Sequence, residues 1–229
     1  MSDDSALIRR RLKTPRAAAL AGILFGVLLI VSQLLIWLSI PSNPLTPAAE
    51  AIRDSKAIDI ALNLLPFAGI AFLWFIAVVR DRVGEFEDRF FATVFLGSGL
   101  LYVAMMFISA AIGGAVISLL AHAPASLATS SAYLLGRAEV YRISTVFGTK
   151  IAGVFMFSTS TIFMRTRVAP RWLAFLGYLL GLTLLLSIGR LYWVAAIFPL
   201  WVLLISACIL VQNRESWAVK QRARAVVQG

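Results

Sequence analysis

The chain of 229 residues is 60% hydrophobic and 14% charged, whereas a soluble domain is closer to half apolar and a quarter charged. Its apolar residues stand in long blocks, so the composition predicts a membrane protein and argues against a separate soluble domain. The lysines and arginines that give the net charge of +10 flank these blocks, without the interleaved aromatic residues of a nucleic-acid surface. We therefore expect anionic lipid, and not nucleic acid, as a partner.

The apolar blocks predict an all-α bundle of six transmembrane helices. A basic cytoplasmic segment over residues 1–16 precedes them, and a basic cytoplasmic tail over residues 212–229 follows them. The predicted spans lie at about residues 17–40, 60–79, 90–112, 143–164, 172–188 and 191–211. Each is near the length of roughly 20 residues that an apolar helix needs to cross a bilayer.

Two of the apolar blocks are too long for one helix that crosses a bilayer straight. The block Phe90–Ala123 contains Gly113-Gly114, a pair that predicts a break or bend. The last block, Trp172–Val211, is interrupted at Gly189-Arg190, where we expect a very short connection between two helices. Residues 123–141 are predicted as an outer loop with one short amphipathic segment.

The basic residues are distributed unevenly between the two sides of this bundle. With the N-terminus in the cytoplasm, fifteen of the 21 lysines and arginines fall in cytoplasmic segments and five in outer segments. Cytoplasmic loops of membrane proteins carry an excess of such residues, so the distribution favours six spans with both termini inside. The tryptophans agree, because Trp37 and Trp193 fall near outer ends and Trp74 and Trp172 near inner ends.

The span at residues 143–164 is unusual because it carries Lys150 well inside its apolar sequence. An ionisable side chain in hydrocarbon costs about 3 kcal/mol on insertion scales, so its presence indicates a functional site or a buried partner. At about 100° per residue, Glu139, Lys150 and Thr161 fall on nearly one line, with Gly153 and Ser158 beside it. This polar stripe suits either a helix–helix contact or the wall of a hydrated path.

Lys150 itself has two interpretations. As a structural residue, it pairs with an outer carboxylate, Asp59 or Glu139, or extends its ammonium group to the membrane surface. As a site residue, it faces a ligand or ion together with hydroxyl groups of the same helix. The candidate ligand- or ion-facing residues are Lys150, Ser158, Thr161, Glu139, Asp59 and Asn63.

Two glycine pairs predict close helix packing, because Gly177-x3-Gly181 and Gly97-x-Gly99 leave room for another helix to approach. Catalysis has little support, since the sequence lacks the motifs of zinc proteases, serine hydrolases and nucleotide-binding loops. With one cysteine, Cys208, and one histidine, His122, we expect no disulfide within the chain, no metal site and no cofactor.

The segment GEFEDRFFATVFLGSGLLYVAMMF, over Gly84–Phe107, and TPRAAALAGILF near the start carry a resemblance. Together they resemble a family of small, uncharacterised bacterial multi-pass membrane proteins with about six helices. The resemblance implies a location in the bacterial cytoplasmic membrane. It implies no activity, ligand or catalytic residue.

Three functional classes remain open. The leading hypothesis is a small transporter- or channel-like protein with a polar site around Lys150. The first alternative is a non-catalytic accessory or scaffold subunit of a membrane complex, and the second is a membrane-embedded enzyme that acts on lipid. The expected partners are the bilayer, with anionic lipid at the basic face, and either a second copy of the chain or a membrane partner protein.

Overall fold

The computed structural model of the protein describes residues 15–39, 55–83, 89–122, 131–166, 169–187 and 193–227. Several predicted features lie outside the described residues. They are the basic head before residue 15, most of the first outer loop, the acidic residues at 84–88, the loop residues at 123–130 and the connection at Gly189-Arg190.

The described chain is 97% helical and contains no strand, which confirms the all-α prediction. The helices are α1 Pro15–Ser39, α2 Ser55–Val83, α3 Arg89–His122, α4 Ser131–Arg142, α5 Thr149–Thr166, α6 Arg171–Leu186 and α7 Val194–Val227. A π-helical turn over Ile143–Gly148 joins α4 directly to α5. The described residues therefore form six continuous helices.

Five of these helices are long and apolar enough to cross a membrane: α1, α2, α3, the continuous helix α4–α5, and α7. The remaining helix, α6, has 16 residues. At 1.5 Å per residue its length is about 24 Å, which is shorter than the roughly 30 Å hydrocarbon core of a bilayer. The chain thus has the pattern of a multi-pass membrane protein that contains one short helix.

Helix α3 differs from the predicted span of residues 90–112 because it continues through Gly113-Gly114 without a break. A glycine weakens a helix by about 1 kcal/mol relative to alanine but removes no backbone hydrogen bond. In apolar surroundings the next turn of the same helix is the readiest partner for each backbone group, so two glycines do not suffice to interrupt it. Both glycines face Leu62 of α2, which an added Cβ would meet at 3.5 Å and 3.9 Å.

Two further helices extend beyond the predicted spans. Residues 131–142, predicted as part of an outer loop, form α4 and continue into the span through the π-helical turn. Helix α7 continues to Val227, past the predicted end of its span at residue 211. In both places the apolar block ends while the helix does not, because alanine, arginine, glutamate and lysine are good helix formers outside hydrocarbon.

The centre of the bundle is a cluster of buried aromatic rings. Phe25 of α1 stacks on Phe72 of α2, with ring centroids 4.4 Å apart. The ring of Phe155 on α5 lies 5.1 Å from that of Phe72 and 4.9 Å from that of Phe95 on α3. Phe198 of α7 completes the cluster, 5.7 Å from Phe155. Each of the five long helices contributes a ring, whereas α6 packs at the edge of the bundle against α5.

Helix α1 packs against α2 and α7. Gly22 and Gly26, one turn apart, face α7, where a Cβ on Gly22 would collide with Ser206 and a Cβ on Gly26 would collide with Leu203. The two glycines therefore let the backbones of α1 and α7 come close, as small residues do in membrane helix pairs.

A side chain of α1 also compensates for a proline in α7. Pro199 lies inside α7 and has no N–H to donate to the carbonyl of Ala195 one turn earlier. The side-chain amide of Gln33 donates to this carbonyl over a long distance of 3.5 Å. A neighbouring helix thus offers a weak donor to a carbonyl that the proline leaves without its usual partner.

Candidate functional site around Lys150

Lys150 is the second residue of α5, which begins immediately after the π-helical turn. In a π-helix each N–H bonds to a carbonyl five residues earlier, so the turn takes up one more residue than an α-helical turn. Two threonine hydroxyls contact the backbone here. Thr145 donates to the carbonyl of Tyr141 at 2.7 Å, and Thr149 donates to the carbonyl of Thr145 at 2.6 Å. The lysine therefore starts from a locally widened and well-bonded part of the helix.

The ammonium group of Lys150 binds the C-terminal end of α6. Its Nζ donates to the carbonyl of Leu185 at 2.7 Å and to that of Ser187 at 3.3 Å. Helix α6 ends at Leu186, and the last carbonyls of a helix have no N–H partner within the helix. This end also carries the negative side of the helix dipole. The half-buried lysine thus serves both as a donor and as a counter-charge.

The short length of α6 explains why it needs such a donor. On the prediction that α6 crosses the bilayer, its length of about 24 Å leaves at least one of its ends inside the hydrocarbon core of roughly 30 Å, unless the bilayer thins around it. An unpaired carbonyl in that region costs several kcal/mol, because no water is present to bond it. Lys150 supplies the missing donor from the neighbouring helix. The charge inside a predicted span therefore has a structural use.

Beyond the lysine, α5 and α6 approach each other through two glycines. A Cβ on Gly153 would lie 2.9 Å from the carbonyl oxygen of Gly181, and a Cβ on Gly181 would lie 3.2 Å from that of Gly153. Gly177, one turn from Gly181, faces Ser160 of α5 and Trp201 of α7. The predicted packing motif Gly177-x3-Gly181 is therefore buried within the chain, where it does not face a partner.

A pair of hydroxyl groups continues the same interface. The hydroxyl of Thr161 is 2.8 Å from that of Tyr178 on α6, and it donates to the carbonyl of Phe157 at 2.9 Å. The ring of Tyr178 packs edge-on against Phe157 with centroids 5.3 Å apart. Ser158 is buried and donates to the carbonyl of Phe155 at 3.0 Å, within its own helix. Of the predicted polar stripe, Lys150, Gly153 and Thr161 therefore contact α6, whereas Ser158 bonds within α5.

The carboxylates suggested as partners of Lys150 lie elsewhere. Asp59 and Glu139 are both exposed, and in the described part of the chain Lys150 bonds to backbone carbonyls rather than to either of them. The side chain of Asn63 is exposed and donates to the backbone carbonyl of Asp59 at 2.8 Å, within α2. Glu139 stands eleven residues before Lys150, or about 16 Å along a helix, which is too far for a direct ion pair.

Three polar atoms in the described core have no hydrogen-bond partner: Ser160 Oγ, Trp201 Nε1 and Ser206 Oγ. Ser160 and Trp201 both lie against Gly177, and Ser206 lies against Gly22. None of the three is indicated by the sequence, since the loss of a partner depends on how the helices pack. They occur where a glycine brings two helices close together.

Gly97 and Gly99 lie on different sides of α3. Gly99 is buried, and an added Cβ would lie 2.5 Å from Ile76 of α2. Gly97 is exposed, and an added Cβ would meet nothing within 4 Å. Residues two apart on a helix point about 200° apart, so the pair cannot face one partner. Gly97 instead forms a notch in the outer surface of α3.

The chemistry of the described residues around Lys150 is hydrogen bonding and helix packing. No group of three or more His, Cys, Asp and Glu side chains among them is placed to hold a metal ion. The resemblance of Gly84–Phe107 to a bacterial family stays a prediction, since no protein-family model, curated protein or solved structure matches the chain.

Proposed function

We propose that the chain is a non-catalytic accessory or scaffold subunit of a membrane complex, and that it binds a partner helix on the outward side of α3. The exposure of this helix carries the proposal. In its most apolar stretch, 22% of α3 is buried inside the chain, whereas the corresponding share is 33% to 61% for the other four long helices. Helix α3 is therefore the span with the most surface left for another helix.

The exposed side of α3 carries a line of small residues among larger apolar ones such as Leu101 and Ile108. Gly97, Ala104, Ala111 and Ala115 are exposed, and their spacing of seven, seven and four residues places them along one side of the helix. We refer to these four residues as the α3 stripe. Helices in lipid associate where small side chains let their backbones come close, so the stripe suits a helix–helix contact.

The bonding of Lys150 supports a scaffold over a transporter. Its ammonium group is held by two backbone carbonyls of α6, and aromatic rings from all five long helices fill the centre of the bundle. Packed interiors resist deformation, so such a bundle suits the task of holding a partner in a fixed position.

Photocrosslinking in native membranes tests the proposal. In a Cys208→Ala background, Ala104→Cys places one thiol on the α3 stripe, and Ala77→Cys places one on the exposed side of α2 as a matched control. Both variants are labelled with a benzophenone maleimide and irradiated. We expect one discrete crosslinked product from Ala104→Cys and none from Ala77→Cys. Equal yields from the two positions would show that the contact is random.

A second variant links the product to helix packing. Gly97→Ile fills the notch of the α3 stripe without disturbing the fold, because nothing lies within 4 Å of the new Cβ. We expect the crosslink at Ala104 to disappear while the unfolding midpoint stays unchanged. A crosslink retained at full yield would place the partner elsewhere and contradict the proposal.

The π-helical turn supports a second candidate, a small transporter- or channel-like protein, because such turns occur frequently at functional sites. In that case Lys150 leaves the end of α6 during the cycle. Labelling with a membrane-permeant amine reagent in lipid vesicles across a pH range, with Lys150→Met as the control, distinguishes the two. Labelling of Lys150 favours the transporter, and protection at every pH favours the scaffold.

A further inference from the structure

We propose that a groove between the end of α2 and the first turns of α3 binds an anionic phospholipid. The groove has a volume of about 220 Å³ and is lined by Arg80, Ala92, Thr93, Leu96, Gly97 and Leu100. It lies on the side of Gly97 that faces the end of α2. Gly97 belongs both to the groove and to the α3 stripe, but the groove extends from Gly97 toward Arg80, whereas Ala104, Ala111 and Ala115 lie in the other direction along α3. The inference therefore does not rest on the docking of a partner helix.

The walls of the groove fit an acyl chain. From Ala92 to Leu100 the helix advances by eight residues, or about 12 Å. Leu96 and Leu100 supply an apolar wall, and Gly97 leaves the floor open because no side chain fills it. Leu100 is exposed, so a lipid tail can enter the groove from the side of the bundle.

Arg80 gives the groove a charged end. Its exposed side chain stands three residues before the end of α2. A guanidinium group binds phosphate through two parallel hydrogen bonds, which gives both charge and geometric fit. Across the first turn of α3, the guanidinium of Arg165 lies over the ring of Phe91 with its Cζ 4.8 Å from the centroid. Phe91 lies on the opposite side of α3 from Leu96 and Leu100, so the charged end of the groove itself is Arg80.

This charge selects the class of lipid. The arginines stand at the end of the bundle that the basic residues predict to be cytoplasmic, where anionic lipids attract them. A zwitterionic headgroup would bring an ammonium group beside the guanidinium of Arg80, whereas an anionic headgroup would not. A transmembrane helix would fill the apolar part of the groove but would bring no phosphate to Arg80. The charge complementarity therefore favours an anionic phospholipid over both.

Native mass spectrometry with defined lipids tests the site. The purified full chain is incubated with equimolar phosphatidylglycerol and phosphatidylcholine, and the lipids that each chain retains are counted. We expect the wild type to retain one phosphatidylglycerol. Arg80→Gln should lower this occupancy about fivefold or more, and Arg80→Lys should retain part of it. Arg171→Gln is the matched control, because Arg171 is an exposed arginine that does not line the groove, and it should change the occupancy less than twofold.

Each other outcome overturns the proposal. Equal losses in Arg80→Gln and Arg171→Gln would mean a general surface attraction, and equal retention of both lipids would mean that the groove does not select charge. A lipid-free dimer would mean that a second copy covers the groove. Ala92→Phe provides a second variant if Arg80→Gln does not fold: it fills the groove, leaves the charge in place and should also expel the lipid.

Discussion

Replacing Lys150 with methionine tests whether the lysine holds the end of α6. Methionine keeps an unbranched apolar stem but removes the ammonium group. The bond to Leu185, at 2.7 Å, has the length of a strong charge-assisted hydrogen bond, and the bond to Ser187, at 3.3 Å, is weaker. A hydrogen bond to a charged group contributes about 1.5–3 kcal/mol, and the interaction with the helix dipole adds roughly 0.3–1 kcal/mol.

Part of this loss is offset because the variant no longer places a charge in the membrane. That charge costs about 3 kcal/mol at the centre of a bilayer. Lys150 is half-buried and binds a helix end, so only a fraction of this cost is recovered. We therefore expect Lys150→Met to lower the free energy of unfolding by about 2 kcal/mol. The effect should be concentrated in α6, whose end loses its donor.

The assay combines two measurements in lipid-detergent micelles: the free energy of unfolding and the hydrogen exchange of the α6 amides. Lys56→Met is the matched control, because Lys56 is exposed at the start of α2 and its loss should change stability by less than about 0.5 kcal/mol. Lys150→Arg keeps a charged donor and should lie between Lys150→Met and the wild type. If Lys150→Met matches the wild type in both stability and α6 exchange, the lysine does not cap the helix.

The remaining predictions concern helix packing. Gly181→Val should lower the free energy of unfolding by about 1–3 kcal/mol, because its Cβ meets the backbone of α5. Gly97→Val is the control and should have little effect, so equal midpoints of the two variants in denaturant titration would refute the prediction. A double-mutant cycle with Thr161→Val and Tyr178→Phe should give a coupling of about 0.6 kcal/mol, and a coupling of zero would mean that the hydroxyl contact contributes nothing. Gln33→Leu should speed hydrogen exchange in α7 around its proline, and unchanged exchange would count against the donor role of the glutamine.

The long helices could be predicted from the sequence because hydrocarbon requires apolar side chains over a fixed length. Their ends could not, since a helix that leaves the membrane needs only good helix formers, as residues 131–142 and the end of α7 illustrate. Gly113-Gly114 shows a related limit. In water such a pair often interrupts a helix, because water can bond the freed backbone groups. In apolar surroundings the best hydrogen-bond partner of each backbone group is its own helix, and α3 continues.

The candidate site was only partly predictable for a similar reason. The depth of Lys150 in its span is visible in the sequence, and so is the line of small and polar residues that faces α6. Its hydrogen-bond partners are main-chain carbonyls, which every residue has and no sequence pattern marks. The π-helical turn is equally hidden, and it changes the direction in which the side chains of α4 point relative to those of α5.

Two unusual features of the sequence, a charge inside one span and an early interruption in the last apolar block, have one physical explanation. Helix α6 has 16 residues, fewer than a helix needs to cross the hydrocarbon core. On the prediction that it lies in the bilayer, its final carbonyls need a donor that lipid cannot supply. A neutral side chain such as serine is too short to reach these carbonyls from the neighbouring helix, whereas a lysine stem spans the gap and its charge matches the helix dipole. The lysine therefore stabilises the short helix, and the helix end in turn stabilises a charge that would otherwise be costly in the membrane.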